Sequence, residues 1–258
     1  MNSALSIAGS DPSGGAGIQA DLKTFHRFGV YGEAVITLLT VQNTRGVERI
    51  EVVSPELVAE QIGAVVSDIP PAAAKTGALG SAAVVEAVAR AAESFLFPLV
   101  VDPVMISKNG AVMMDEEGCR VFVNKLLPRA FLLIPNLYEA EKLTERPVRD
   151  RDSMARAAEK LIAMGAANVL VKGGHLEGEA VDVLLTGNGE FREFSAPKIA
   201  STHTHGTGCT YSAAITAGLA LGKDLVQALA DAKTFVTEAI RTAPGIGHGS
   251  GPLNHFAR

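Results

Sequence analysis

The chain has 258 residues, a net charge of −5, 47% apolar residues, 20% charged residues, no tryptophan and 5% aromatics. This composition suits one large α/β domain with a sizeable core; it excludes disorder, and without a basic stripe or rings for base stacking it argues against nucleic acid as a partner. The two cysteines, Cys119 and Cys209, lie far apart without C-x-x-C spacing, no basic segment precedes the first apolar run, and the apolar runs fall short of a membrane span, so a reduced, cytoplasmic protein without signal peptide or membrane anchor is expected.

Residues 4–8 form a short apolar run, read as a buried strand. Gly9-Ser10-Asp11-Pro12-Ser13-Gly14-Gly15-Ala16-Gly17 is too rich in glycine for a regular element. Ile18, Leu22, Phe25 and Phe28 then recur at helical spacing, and Gly29 fits a C-terminal cap. The loop matches neither G-x-G-x-x-G nor G-x-x-x-x-G-K-[ST], which disfavours a Walker-type ATPase. Asp21, in the first turns of this helix, either faces the ligand space of the loop or is a surface carboxylate favoured by the helix dipole.

Residues 34–40 read as a second buried strand ending in Val41-Gln42-Asn43-Thr44. At the carboxyl end of a parallel strand Gln42 reaches the ligand crevice. Its amide offers one acceptor and two donors to a heteroaromatic ring edge, or else it is a solvated loop amide. A helix is expected over 55–67 with Pro55 at its start, a strand over 72–76 running into Gly77, and a helix over 82–94 capped by Ser81. Residues 99–104 read as a strand carrying Asp102, a crevice carboxylate for a metal or phosphate, or the start of an Asp-Pro turn.

A helix over 116–127 packs Cys119 on its buried side, and residues 131–134 form a strand leading to Asn136 and Glu139. Side chains three apart at a helix start converge. Their oxygens suit hydrated Mg2+, yet an Asn N-cap with a capping-box Glu is the better local reading. After a helix over 152–164 and a strand over 168–171 comes Lys172-Gly173-Gly174-His175, where a lysine beside glycines can neutralise phosphate oxygens. Residues 181–185 and 191–195 pair as a hairpin around Gly187-Asn188-Gly189.

Thr204-His205-Gly206-Thr207-Gly208-Cys209-Thr210 opens into an apolar helix over 210–221, followed by a helix over 225–241 and a Gly/His/Pro-rich tail over 245–256. Small residues ahead of a helix make an anion hole, with unpaired N–H groups and the positive dipole end facing a phosphate. A thiol placed there is acidified. The alternative is an ordinary glycine-rich junction. Strands alternate with helices throughout, with no repeat or linker, which calls for one domain over 1–258 on a mostly parallel sheet covered on both faces.

Asn136-x-x-Glu139 and the late Gly206-Thr207-Gly208-Cys209 together resemble the ribokinase-like superfamily. Within it the chain is similar to the bacterial hydroxymethylpyrimidine/phosphomethylpyrimidine kinases of thiamine biosynthesis. The motifs follow in order: Ala8-Gly9-Ser10-Asp11, Gly14 to Lys23, Val41-Gln42-Asn43-Thr44, Lys75-Thr76-Gly77, Val101-Asp102-Pro103-Val104-Met105, Lys172-Gly173-Gly174-His175, His205 to Cys209, and Gly251-Pro252-Leu253-Asn254-His255-Phe256. The resemblance implies an α/β, ribokinase-like (Rossmann-like) three-layer sandwich that forms a homodimer. It implies transfer of the ATP γ-phosphoryl group, with Mg2+, to 4-amino-5-hydroxymethyl-2-methylpyrimidine and then to its monophosphate.

By that resemblance Asp21 and Gln42 hold the aminopyrimidine, with Gly9, Ala16 and Val104 around the ring. Asn136 and Glu139 organise Mg2+ and phosphates with Asp102 nearby, Lys172 and Thr207 meet phosphate oxygens, and Gly206, Thr207 and Gly208 form the anion hole. Cys209 stands where most sugar kinases of the superfamily have Asp; it is implied to be the general base, or to orient the hydroxyl, with a pKa falling toward neutrality. Ala78 departs from a frequent Met and implies a wider pyrimidine pocket. A pyridoxal kinase is the nearest alternative, and Gln42 argues against it because pyridoxal-specialised relatives tend to be apolar there. A Cys–His acyl-transfer enzyme using Cys209 with His205 or His175 would leave Asn136, Glu139 and Lys172 without a role. A metal site at His203 and His205 lacks further ligands, and a non-catalytic nucleotide-binding module would have a dispensable thiol.

Overall fold

A computed structural model describes residues 1–107, 110–174 and 178–257. The strands are β1 (Ser3–Ser10), β2 (Tyr31–Asn43), β3 (Gly46–Val52), β4 (Ala73–Thr76), β5 (Leu99–Val101), β6 (Leu132–Leu133), β7 (Asn168–Val171), β8 (Ala180–Thr186) and β9 (Phe191–Ala196). Among the described residues they form one sheet in the order β3-β2-β1-β4-β5-β6-β7-β8-β9. The pairs from β2 through β1, β4, β5 and β6 to β7 are parallel, while β3, β8 and β9 join antiparallel.

The central strands are apolar on both faces because both faces are covered. Leu99, Val101, Leu133, Val169 and Val171 pack with helices α2 (Pro55–Asp68), α3 (Ala82–Ala92), α4 (Glu116–Val121), α5 (Leu137–Thr144) and α6 (Arg151–Ala163). The alternate residues Val100, Leu132 and Leu170 pack with α7 (Thr207–Ala220) and α8 (Leu225–Arg241). Helix α1 (Gly17–Arg27) joins that second layer through Phe25 against Ala213 and Ala217. Each such side chain contributes roughly 1.5–3 kcal/mol through burial. The three-layer α/β architecture is the one expected. No helix among the described residues is long and apolar enough to cross a membrane.

Three local expectations are corrected. Strand β2 does not stop at Thr40 but runs to Asn43 and turns through Thr44 and Arg45 into β3. Neither face of that edge strand is buried, its residues being half-buried or exposed, so its sequence lacks a clear hydrophobic period. Beyond Val121, α4 passes into a π turn over Phe122–Leu126 and a 3-10 turn over Leu127–Arg129, where Pro128 has no N–H to continue the ladder. Strand β5 ends at Val101, which leaves Asp102 and Val104 in the following loop.

Candidate active site

Two glycine loops interlock at the carboxyl ends of β1 and β2. Gly206 caps α7 with φ +81°, and a Cβ there would lie 1.8 Å from the Gly15 carbonyl oxygen, so backbone contact admits only glycine. Between the loops sits the buried carboxylate of Asp11. Its Oδ1 accepts the Ser13 N–H and hydroxyl at 2.9 and 2.7 Å; its Oδ2 accepts the Ala16 N–H and His205 Nε2, both at 2.9 Å. Burial works against this charge, but the bonds from His205 and Ser13 prevail and hold the carboxyl below its ordinary value. The Gln42 amide nitrogen lies 3.1 Å from the same His205 nitrogen. Gln42, on a strand rather than in a loop, is thereby tied to the segment that leads into Cys209.

The C-terminal tail braces this segment. The His205 N–H donates to Gly251 O at 3.1 Å, Thr210 Oγ1 meets His255 Nε2 at 3.1 Å, and Arg27 Nε donates to Ala257 O at 2.6 Å. Burial, with Lys23 nearby, pushes His255 down to about 4, so the ring is neutral at physiological pH.

Opposite the loops is a cluster of charge. Lys172 Nζ lies 2.9 Å from Asp102 Oδ1. A Cβ on Gly208 would sit 3.6 Å from Asp102 Oδ2 and 3.8 Å from Lys172 Nζ, so the first turn of α7 faces this pair. Burial works against the Lys172 ammonium, but Asp102 and Glu139 hold it charged, above its ordinary value. Asn136 and Glu139 form the reciprocal capping box of α5: Asn136 Oδ1 accepts the Glu139 N–H at 2.9 Å and Glu139 Oε2 accepts the Asn136 N–H at 2.8 Å. Burial pushes the Glu139 carboxyl up to about 7, with Lys172 opposing and Asp102 adding to the rise.

Cys209, the third residue of α7, lies between the loops and the charges. The expected acidification is corrected. Desolvation pushes its thiol up to about 11; Lys75 and the Gly17 N–H oppose that rise, and the charges of Asp21 and Asp102 reinforce it. One lysine and a helix end do not offset packed protein around the sulfur and two nearby carboxylates.

Asp21 is not the surface carboxylate that one reading of the sequence allowed. Its carboxylate is fully buried, with Oδ2 held by Lys75 Nζ at 2.8 Å and by the Ser6 hydroxyl at 2.6 Å. Its Oδ1 has no hydrogen-bond partner among the described residues, and its charge acts on the Cys209 thiol, so this buried carboxylate adjoins the site. Gly9 is also packed, because the volume a side chain would take is filled by Leu38. Ala16 and Thr207 spend their hydrogen on the loops, the former to Asp11 and the latter through its hydroxyl to Thr204 O at 2.8 Å. Val104 is half-buried, with its N–H on Asp102 O. His175 lies outside the described residues. His205 directs Nε2 to Asp11 and Gln42, which leaves the Cys209–His205 pairing without support. Among the described residues no three His, Cys, Asp or Glu side chains are grouped as a metal site.

The sequence assigned no site role to Asp11 or Lys75, and offered His205 only as a partner of Cys209 or a metal ligand rather than as the link to Asp11 and Gln42. Lys75 had a signal: a lone lysine inside the apolar run Ala72-Ala73-Ala74 requires a buried carboxylate. A groove of about 640 Å³ lined by Phe95, Phe97, Leu99 and Phe131 lies at the opposite ends of β5 and β6 and holds none of the candidate residues.

Comparison with known proteins bears on this arrangement. The model of the family described as phosphomethylpyrimidine kinase matches residues 11–254. The chain is 50% identical over 98% of its length to the thiamine biosynthesis bifunctional protein ThiED of Geobacter sulfurreducens, of which it spans about half (52%). It is 45% identical to the hydroxymethylpyrimidine/phosphomethylpyrimidine kinase of Bacillus subtilis, covering 98% of this chain and 94% of that one. Among solved structures it resembles an ADP complex of Bacillus subtilis pyridoxal kinase, with TM-score 0.91, 36% identity and coverage of 100% and 98%. It also resembles the phosphomethylpyrimidine kinase of Clostridium difficile 630, with TM-score 0.83, 42% identity and coverage of 93% and 100%. The architecture is ribokinase-like, and the chain belongs to the phosphomethylpyrimidine kinase family.

Proposed function

We propose that this chain transfers the γ-phosphoryl group of ATP to 4-amino-5-hydroxymethyl-2-methylpyrimidine and then to its monophosphate. The observation that carries the reading is the convergence of Gln42, the glycine loop before Cys209 and the Lys172–Asp102 pair on one end of the sheet. Gln42 offers an amide to a ring edge. The Gly206–Thr207–Gly208 backbone and Lys172 surround a place for phosphate oxygens with positive charge, and Cys209 stands where an acceptor hydroxyl would lie. Such transfer needs positioning and charge stabilisation more than covalent help.

Asp102 and Glu139 fit a hydrated Mg2+. They are neighbours: burial raises Glu139 and the Asp102 charge adds to the rise, and a divalent cation relieves that added repulsion. When bound, it neutralises charge on the nucleotide's phosphates. Glu139 keeps its bond to the Asn136 N–H, so its free lone pairs suit an ion held through water. Exposed Leu39, Val41 and Val52 on the β2–β3 hairpin support a homodimer, for which sedimentation should give twice the chain mass.

The test is ADP release with Mg-ATP and, separately, the hydroxymethylpyrimidine, its monophosphate and pyridoxal. Both pyrimidines should turn over, well ahead of pyridoxal. Turnover of pyridoxal alone would replace this reading with the second one, a pyridoxal kinase, which the TM-score of 0.91 to such an enzyme favours and the polar Gln42 disfavours.

A further inference from the structure

Strand β8 carries one carboxylate in an apolar run, Val181-Asp182-Val183-Leu184, and Asp182 is 2% exposed. A carboxylate so placed costs stability unless every lone pair is engaged, and a leucine would be the simpler occupant. Its hydrogen-bond partners come from the chain just past β7 and from α8. Oδ1 accepts the Gly173 N–H at 3.0 Å, and Oδ2 accepts Lys233 Nζ of α8 at 2.7 Å. The Lys233 ammonium stands 6.0 Å over the ring of Tyr211, two residues beyond Cys209 on α7. The buried Tyr211 hydroxyl has no hydrogen-bond partner among the described residues, and burial together with the Asp182 charge raises it well above its ordinary value.

Gly173 follows Lys172 directly. The Lys172 N–H donates to Pro135 O at 2.8 Å, beside the Asn136–Glu139 cap. The peptide N–H groups on both sides of the Lys172 Cα are therefore held, one by the start of α5 and the other by Asp182. We propose that Asp182, charge-balanced by Lys233, is a positioning residue for the phosphoryl transfer: it fixes the root of Lys172 relative to the helix that carries Cys209. This rests on the role given above to Lys172. A displacement of about 1 Å at a reacting group can cost on the order of 100-fold in rate, so such a clamp acts on kcat.

The test compares two charge-neutral pairs. Asp182→Asn with Lys233→Met keeps an oxygen for the Gly173 N–H; Asp182→Leu with Lys233→Met removes it. The first pair should retain kcat within about threefold and the second should lose about tenfold or more, with the KM for the pyrimidine unchanged in both. Thermal unfolding shows that both are folded. Equal activity of the two pairs, or equal loss, overturns the clamp, since the Gly173 acceptor then decides nothing. If the Leu pair does not fold, Gly173→Pro removes the donor from the other side: the same kcat loss is expected, and full kcat overturns the proposal. Lys172→Ala run alongside separates the two readings. An active Lys172→Ala refutes the phosphate role of Lys172, whereas an active Leu pair beside an inactive Lys172→Ala sinks the clamp alone.

Discussion

At the scale of the residue, the proposed chemistry turns on the Cys209 thiol, which burial lifts to about 11 and so keeps protonated at neutral pH. Its thiolate is a strong base present in small amount at neutral pH, and charge stabilisation carries the larger share of a loose phosphoryl transfer. Cys209→Ala should lower kcat by about 10²–10⁴-fold while calorimetry shows ATP binding intact. With native Cys209, kcat should keep rising with pH above neutrality; Cys209→Asp should level off in the acid range. Full activity of the Ala variant would end the base role. Glu139 makes a separate prediction. Its folded-state value of about 7 lies above the ordinary 4.5, so the folded protein holds a proton that the unfolded chain releases. Stability from this group is present below about 4.5 and is lost as pH rises through about 7. Glu139→Gln, which retains the cap acceptor, should raise the melting temperature above pH 7 and flatten its dependence between 5 and 7 in urea-free thermal scans.

At the scale of the element, the N-termini of α1 and α7 are brought together by close backbone contact as well as by the Asp11–His205 bond. A Cβ on Gly17 would lie 2.2 Å from Gly9 O, as one on Gly206 would from Gly15 O at 1.8 Å. Gly206→Ala must part the two loops and also strain a left-handed residue, which by itself costs on the order of 1–3 kcal/mol. Gly29, at φ +72° with nothing within 4 Å, makes the control. Gly29→Ala should lose about 1–2 kcal/mol of stability with kcat unchanged, whereas Gly206→Ala should lose activity as well. Denaturant unfolding paired with the kinase assay distinguishes them; similar behaviour of the two variants would mean that the loop contact does not matter to catalysis.

At the scale of the whole molecule, the sheet reverses direction at β1, with β2 and β3 on one side and β4 to β9 on the other. Such a switch point opens a crevice at the carboxyl ends of the strands. Asp11, Gln42, Asp102, Asn136 and Lys172 all lie at or just past such ends, from five different strands. A ligand spanning the crevice therefore ties together elements distant in the chain and binds only the folded state. At 100 times its dissociation constant, Mg-ATP should add about 2.7 kcal/mol of stability, or roughly 5–10 °C in melting temperature. No shift at that concentration would mean that the crevice does not bind the nucleotide.

Periodicity and glycine placement in the chain alone determined the order of strands and helices, the parallel three-layer sheet and the capping box at Asn136 and Glu139, because these depend on neighbours within a few residues. They also marked the loop before Cys209, since only glycine suits its backbone. The edge strand β3 escaped because, with neither face buried, it carries no clear hydrophobic alternation. Tertiary structure alone decided the state of the charged groups. Asp21 meets Lys75 across 54 residues, Asp11 meets His205 across 194, and Asp182 meets Lys233 across 51. Hydrogen-bond partners and desolvation depend on what lies near in space, so the direction of the Cys209 shift and the burial of Asp21 could be read only once the chain had closed around them.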